Sequence, residues 1–137
     1  MAVVKDLITV TDDHALNFGD YTLTQKTKKA DFMFEGDLYK IKTYNTITKL
    51  EKNGMMVYES VPGTSVHNFK ASDSMVSFET EGMNDAQITL ELEPEKEYKV
   101  YVDDTNIGRM KTNLGGKLSI GLEMNAGQPV FVKIMKL

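Results

Sequence analysis

Ala86-Gln87-Ile88-Thr89-Leu90-Glu91-Leu92 alternates strictly between apolar and polar side chains. Period two is the repeat of an extended chain, whose successive side chains point to opposite sides of a sheet, so four apolar residues share one face. Working outward, Tyr98, Val100 and Val102 alternate with Lys99 and Tyr101, and Leu118, Ile120, Leu122 and Met124 follow the same rule. Val130, Val132 and Ile134 do so again, with Phe131, Lys133 and Met135 turned the other way. Strands that each bury one face must pair into sheets that cover one another. The fold expected is all-β: an antiparallel β-sandwich.

Turn residues separate these segments at Glu81-Gly82, Pro94, Asp103-Asp104-Thr105-Asn106, Asn113-Leu114-Gly115-Gly116 and Asn125-Ala126-Gly127. Spacings of about 8 to 12 residues between such signals suit antiparallel sandwiches. In the first half the expected strands are 15–23, 30–34, 38–44, 47–52, 55–61 and 64–70. Asn53-Gly54 predicts a type I′ hairpin, and Pro62-Gly63 a type II turn. Helical spacing has only Tyr44, Ile47 and Leu50 to support it.

The two halves carry a similar order of parts. Tyr39-Lys40-Ile41, Asn53-Gly54, a hydrophobic strand and Pro62-Gly63 parallel Tyr98-Lys99-Val100, Gly115-Gly116, a hydrophobic strand and Ala126-Gly127. This predicts either two small duplicated β modules, residues 1–72 and 73–137, or one continuous sandwich of duplicated origin.

Composition narrows the chemistry. The 137 residues include no cysteine and no tryptophan, are 41% hydrophobic and carry a formal charge of -4. A hydrophobic fraction this ordinary, with interspersed charges, belongs to folded globular proteins. Without cysteine there are no disulfides, thiolate metal sites or cysteine nucleophiles. A net acidic chain with a pI near 5.2 argues against a nucleic-acid surface. Of the 16 basic residues only Arg109 is arginine, which excludes functions built on an arginine cluster gripping carboxylates or phosphates. Lys5 and Asp6 interrupt the apolar residues near the start, and no apolar run approaches the roughly 20 residues of a membrane helix, so cytoplasmic location is expected.

Leu92-Glu93-Pro94-Glu95-Lys96-Glu97-Tyr98 resembles the corner of fibronectin type III and related immunoglobulin-like modules. That resemblance implies an immunoglobulin-like sandwich topology, with residues 73–137 as the immunoglobulin-like module, and a tyrosine hydroxyl bonded to backbone a few residues upstream. Residues 98–134 also look like the small β-sandwich appendages of bacterial carbohydrate-active enzymes. Through Gly63-Thr64-Ser65-Val66-His67-Asn68-Phe69 and Asn113-Leu114-Gly115-Gly116-Lys117-Leu118 the chain resembles short bacterial proteins labelled endosialidase-like. Sialidases hold their substrate's carboxylate with several arginines, so a chain with a single arginine does not carry that activity in its residues.

Other candidate chemistry is sparse. Asp12, Asp13 and His14 could bind a metal or exchange protons, although a turn that places such residues in solvent is the simpler reading. Ser65 and His67 share a strand face, but a nucleophile–base pair needs a third orienting group and an oxyanion hole. Asp103-Asp104-Thr105-Asn106 lacks the layout of a calcium loop, and Gly115-Gly116-Lys117 precedes a strand where a phosphate loop precedes a helix. Lys26, Lys28 and Lys29 fit a loop or a charged sheet edge. Tyr44, Tyr58 and Tyr101 are the candidate sugar-stacking platforms. Tyr101, Phe131 and Met135 are instead candidates for a second apolar face covered by another protein, to which nine methionines add adaptable apolar area. No catalytic residue, metal site or cofactor is expected. The function expected is non-enzymatic protein–protein contact, including self-association, with a carbohydrate-binding accessory module as the alternative.

Overall fold

The structure is a computed structural model that describes residues 4–137. A 3₁₀ turn at Lys5–Leu7 leads into β1 (Ile8–Val10), β2 (Leu16–Phe18), β3 (Thr27–Phe34) and β4 (Asp37–Thr43). Next come β5 (Thr48–Lys52), β6 (Met55–Val61), β7 (Ser65–Ala71), β8 (Met75–Glu81) and β9 (Ala86–Glu91). The chain ends with β10 (Glu97–Val102), β11 (Thr105–Lys111), β12 (Lys117–Leu122) and β13 (Val130–Lys136). All pairings are antiparallel. The strands build a seven-stranded sheet, β1-β2-β7-β8-β13-β10-β11, and a six-stranded sheet, β12-β9-β6-β5-β4-β3. Their inner faces enclose one core, so the all-β sandwich read from the alternation is the observed fold.

Strand placement follows local chemistry where the sequence offers it. Asn53 and Gly54 take φ of 51° and 82°, the left-handed pair of a type I′ turn between β5 and β6. Asp103 and Asp104 do the same between β10 and β11, so the loop expected over Asp103–Asn106 shrinks to two residues and Thr105 and Asn106 join β11. The strand expected over 15–23 keeps only Leu16–Phe18. Gly19 ends it at φ 94°, where a Cβ would lie 2.5 Å from the Thr64 carbonyl oxygen. Pro62-Gly63 is not a type II turn: the Val61–Pro62 peptide is cis and Gly63 does not take positive φ. Gly63 is needed because its α-carbon packs against the Tyr44 carbonyl, leaving no room for a side chain.

The core centres on Tyr58, whose ring meets Phe18 at 5.2 Å and Phe78 at 5.5 Å, both edge-on. Its hydroxyl is hydrogen-bonded to Thr64 Oγ1 at 2.8 Å and Thr80 Oγ1 at 3.1 Å. Ser60 bonds Thr64, Thr43 bonds Thr48, and the Thr48 hydroxyl donates to the Thr64 carbonyl at 2.7 Å. These hydroxyls are enclosed, and each finds a partner, as burial in a low-dielectric interior requires.

Strands from both sides of residue 72 share this core and both sheets: β7 pairs with β8, and β6 with β9. The expected module boundary falls in the tight turn joining β7 to β8, where the Ser72 N–H donates to the Met75 carbonyl. The chain is therefore one continuous sandwich. The internal parallel also fails in pairing, because β4, β5 and β6 form a meander in one sheet, whereas β12 leaves the sheet that holds β10 and β11. Turn residues mark where strands stop, not which sheet the next strand joins.

The tyrosine corner is present. Tyr98 is buried, and its hydroxyl accepts the Glu93 N–H at 3.2 Å. Thr112 braces the same bend, donating to the Glu93 carbonyl at 2.6 Å and accepting from the Lys96 N–H at 2.9 Å.

Candidate functional site

Register decides what each sheet shows to solvent. In the seven-stranded sheet Val100 opposes Ile134, and Ile134 opposes Val76, all inward. The alternate positions then face outward: Tyr101 opposes Lys133, Phe131 opposes Glu79, and Met135 opposes both Met75 and Lys99. Lys99 in turn opposes Arg109. Tyr101, Phe131 and Met75 are half-buried and Met135 is 37% exposed. Three of the five candidate binding residues, Tyr101, Phe131 and Met135, thus share one face, joined by Met75 and interleaved with Lys99, Lys133 and the single arginine. Met75 carries no sequence signal of its own, because Thr80 at an inward position interrupts the apolar alternation of β8.

The other two behave differently. Tyr44 is half-buried in the β4–β5 connection of the opposite sheet. Tyr58 is 0% exposed at the centre of the core, which corrects its assignment as a sugar platform. Alternation showed that one face of β6 is buried, but Glu59 and the partly buried Val57 on the other left open which one. Enclosure also pushes the Tyr58 hydroxyl up to about 12, because an anion there would lose its hydration.

Further across the seven-stranded sheet lies a buried polar patch. Ser65 and His67 share the outward face, as expected, opposite Glu81 and Glu79 respectively. Ser65 is 0%, His67 7% and Glu81 3% exposed. The Tyr21 hydroxyl donates to Glu81 Oε2 at 2.8 Å, and burial together with this bond raises Tyr21 to about 12. Burial lowers the His67 pKa, opposed by Glu81 and Glu79. Carboxylates invisible as partners in the sequence thus stand beside the Ser65–His67 pair. Among the described residues, however, Ser65 Oγ has no hydrogen-bond partner, so His67 is not placed to take its proton.

The Asp12-Asp13-His14 cluster comes apart in the β1–β2 turn. Asp13 bonds Lys70 Nζ at 2.7 Å and the Thr11 hydroxyl, and these bonds hold its carboxyl down at about 2. His14 turns instead toward Glu35, 3.8 Å away. Among the described residues no group of three His, Asp or Glu side chains is arranged to hold a metal ion. Lys28 and Lys29 stand on β3, an outer strand of the six-stranded sheet interrupted by a bulge at Asp31, so they are edge residues rather than a loop.

At the β7–β8 end the sheets part over two adjoining clefts of about 200 and 420 Å³ that share Val57, Phe69, Ala71 and Glu91. Their floor is apolar. Their rim carries both signs of charge, already paired at Lys136–Glu93, Lys52–Asp37 and Lys70–Asp13.

No protein family matches the chain, and no curated protein or solved structure was found to match it.

Proposed function

We propose that this is a non-enzymatic β-sandwich protein that works through protein–protein contacts, self-association included, made by the outward face of its seven-stranded sheet. The observation that carries this reading is the contiguous set Tyr101, Phe131, Met135 and Met75 on a face where polar residues are the rule for a solvated sheet. Aromatic, methionine and arginine side chains are the types enriched where proteins meet. Lys99, Lys133 and Arg109 among them suit a partner surface with negative charge at its rim. The buried Ser65 and the paired Asp13 and Glu93 fit a structural role for these groups better than a catalytic one.

Light scattering after size exclusion tests it, comparing the wild type with Phe131→Glu and Tyr101→Glu. The proposal expects wild-type mass to rise with concentration above the 15.4 kDa of one chain, and each charged variant to lower that rise. Growth in mass that both charged variants leave unchanged would move the contact elsewhere.

A further inference from the structure

A sheet edge is a row of unpaired N–H and C=O groups, and proteins blunt such edges by shortness, bulges or charge. Among the described residues, three of the four edges are blunted. β1 has three residues. β3 carries Lys28 and Lys29 and breaks register beside Asp31 at φ 58°. β11 breaks register against β10, has Gly108 at φ 120°, and carries Arg109 and Lys111. β12 has none of these along its middle: it pairs with β9 in unbroken register from Lys117 to Leu122.

The backbone groups β12 leaves free follow from the ladder. Leu92 N–H donates to the Gly116 carbonyl, and Met124 N–H donates to the Asp85 carboxylate just ahead of β9. The even-numbered positions therefore hydrogen-bond toward β9. In an antiparallel ladder the alternate residues, 117, 119, 121 and 123, then turn their N–H and C=O away from it. At Lys117 both groups are taken, by the Asn113 N–H at 3.1 Å and Asn113 Oδ1 at 2.9 Å. Ser119, Gly121 and Glu123 remain, all exposed, and burial keeps alternating through Met124. Gly121 has only main chain to expose, and nothing lies within 4 Å of where its Cβ would be.

We propose that a second copy of this chain pairs antiparallel with β12 about a two-fold axis at Gly121, joining two six-stranded sheets into one of twelve strands. The free edge is self-complementary in that register. Gly121 of one copy meets Gly121 of the other, and Ser119 meets Glu123, so each N–H and C=O of these residues gains a partner. The Ser119 hydroxyl, already bonded to Thr89 Oγ1 at 2.9 Å, stands opposite a carboxylate across the junction. Lys117 stands diagonal to the same Glu123, within reach of its long side chain. Ile120 and Leu122 continue their apolar row across the axis. This contact is separate from the Phe131 face and does not depend on it.

Gly121→Cys is the decisive variant, because the chain has no other thiol. Hydrogen-bonded antiparallel residues have Cα atoms about 5.5 Å apart, within disulfide range. Under mild oxidation Gly121→Cys should cross-link into dimers at least about tenfold faster than Met33→Cys on β3, the contact raising the local thiol concentration. Gly121→Pro removes a free N–H without touching the bonds to β9, and should abolish this contact with unchanged circular dichroism, leaving only the association that Phe131→Glu removes. Glu123→Lys should weaken the dimer, and adding Lys117→Glu should restore it. Equal cross-linking of Gly121→Cys and Met33→Cys, or a wild type with the mass of one chain up to about 1 mM, would overturn the proposal. Association abolished by Phe131→Glu but untouched by Gly121→Pro would also overturn it, while leaving the sheet-face reading standing.

Discussion

Replacing Tyr58 by phenylalanine removes one oxygen from the middle of the core and leaves the ring packing intact. That oxygen links Thr64, which is tied to Ser60, to Thr80 on the facing sheet. With no solvent available, the two threonine hydroxyls each lose a partner, and such a loss costs roughly 1–3 kcal/mol. Thr80→Val should cost about 1 kcal/mol, because Tyr58 keeps its bond to Thr64. The two changes remove parts of one network, so the double variant should fall short of the sum by about 0.5–1 kcal/mol. Urea unfolding at neutral pH measures all three, with an unchanged denaturant slope as the check that the fold is retained. Alkaline titration supplies an independent reading. The folded Tyr58 pKa of about 12 lies above its ordinary value of 10, so its stabilisation is fully present below pH 10 and is lost as pH rises through 12. Two pKa units correspond to about 2–3 kcal/mol, and this part of the alkaline loss should vanish in Tyr58→Phe. A neutral Tyr58→Phe or strict additivity with Thr80→Val would refute the view that this hydroxyl joins the sheets, and an unaltered alkaline profile the view that it is enclosed.

Asp13 offers a test at the acidic end. Its carboxyl, held near 2 by Lys70 and Thr11, contributes stability that is present above its ordinary value of 3.8 and is lost as pH falls through 2. Carboxyl NMR should show this low midpoint in the wild type and a return toward the ordinary range in Lys70→Met. Gly19→Ala should destabilise by more than about 2 kcal/mol in urea unfolding, since positive φ is compounded by collision with the Thr64 carbonyl. Gly54→Ala, also at positive φ but in open space, should cost only about 1 kcal/mol. Thr112→Val should loosen the 92–98 corner, seen as faster amide exchange at Lys96, whose N–H it accepts.

Much of the fold was legible because strand formation and tight turns are local. The alternation from Ala86 to Leu92 reports a half-buried strand whatever covers it, and Asn53-Gly54 specifies its turn by backbone sterics alone. Leu92 to Tyr98 carried its corner, hydrogen bond included. What escaped was short, exposed or polar: β1 has three residues, β11 little buried surface to read, and β8 a threonine at an inward position.

The candidate site was legible in part. Tyr101, Phe131 and Met135 follow from period two on neighbouring strands, whereas Met75 enters only when β8 pairs with β13. Tyr58 was misplaced because alternation distinguishes two faces without saying which is the interior. By itself the sequence determined the strand period, the tight turns, the tyrosine corner and the absence of arginine clusters and thiols, all of which depend on nearby residues or on composition. The tertiary structure alone decided that the halves share one core, that Glu79 and Glu81 stand beside Ser65 and His67, and that β12 ends its sheet unguarded. Those features are pairings between residues far apart in the chain, and a pairing exists only once the sheets have closed on one another.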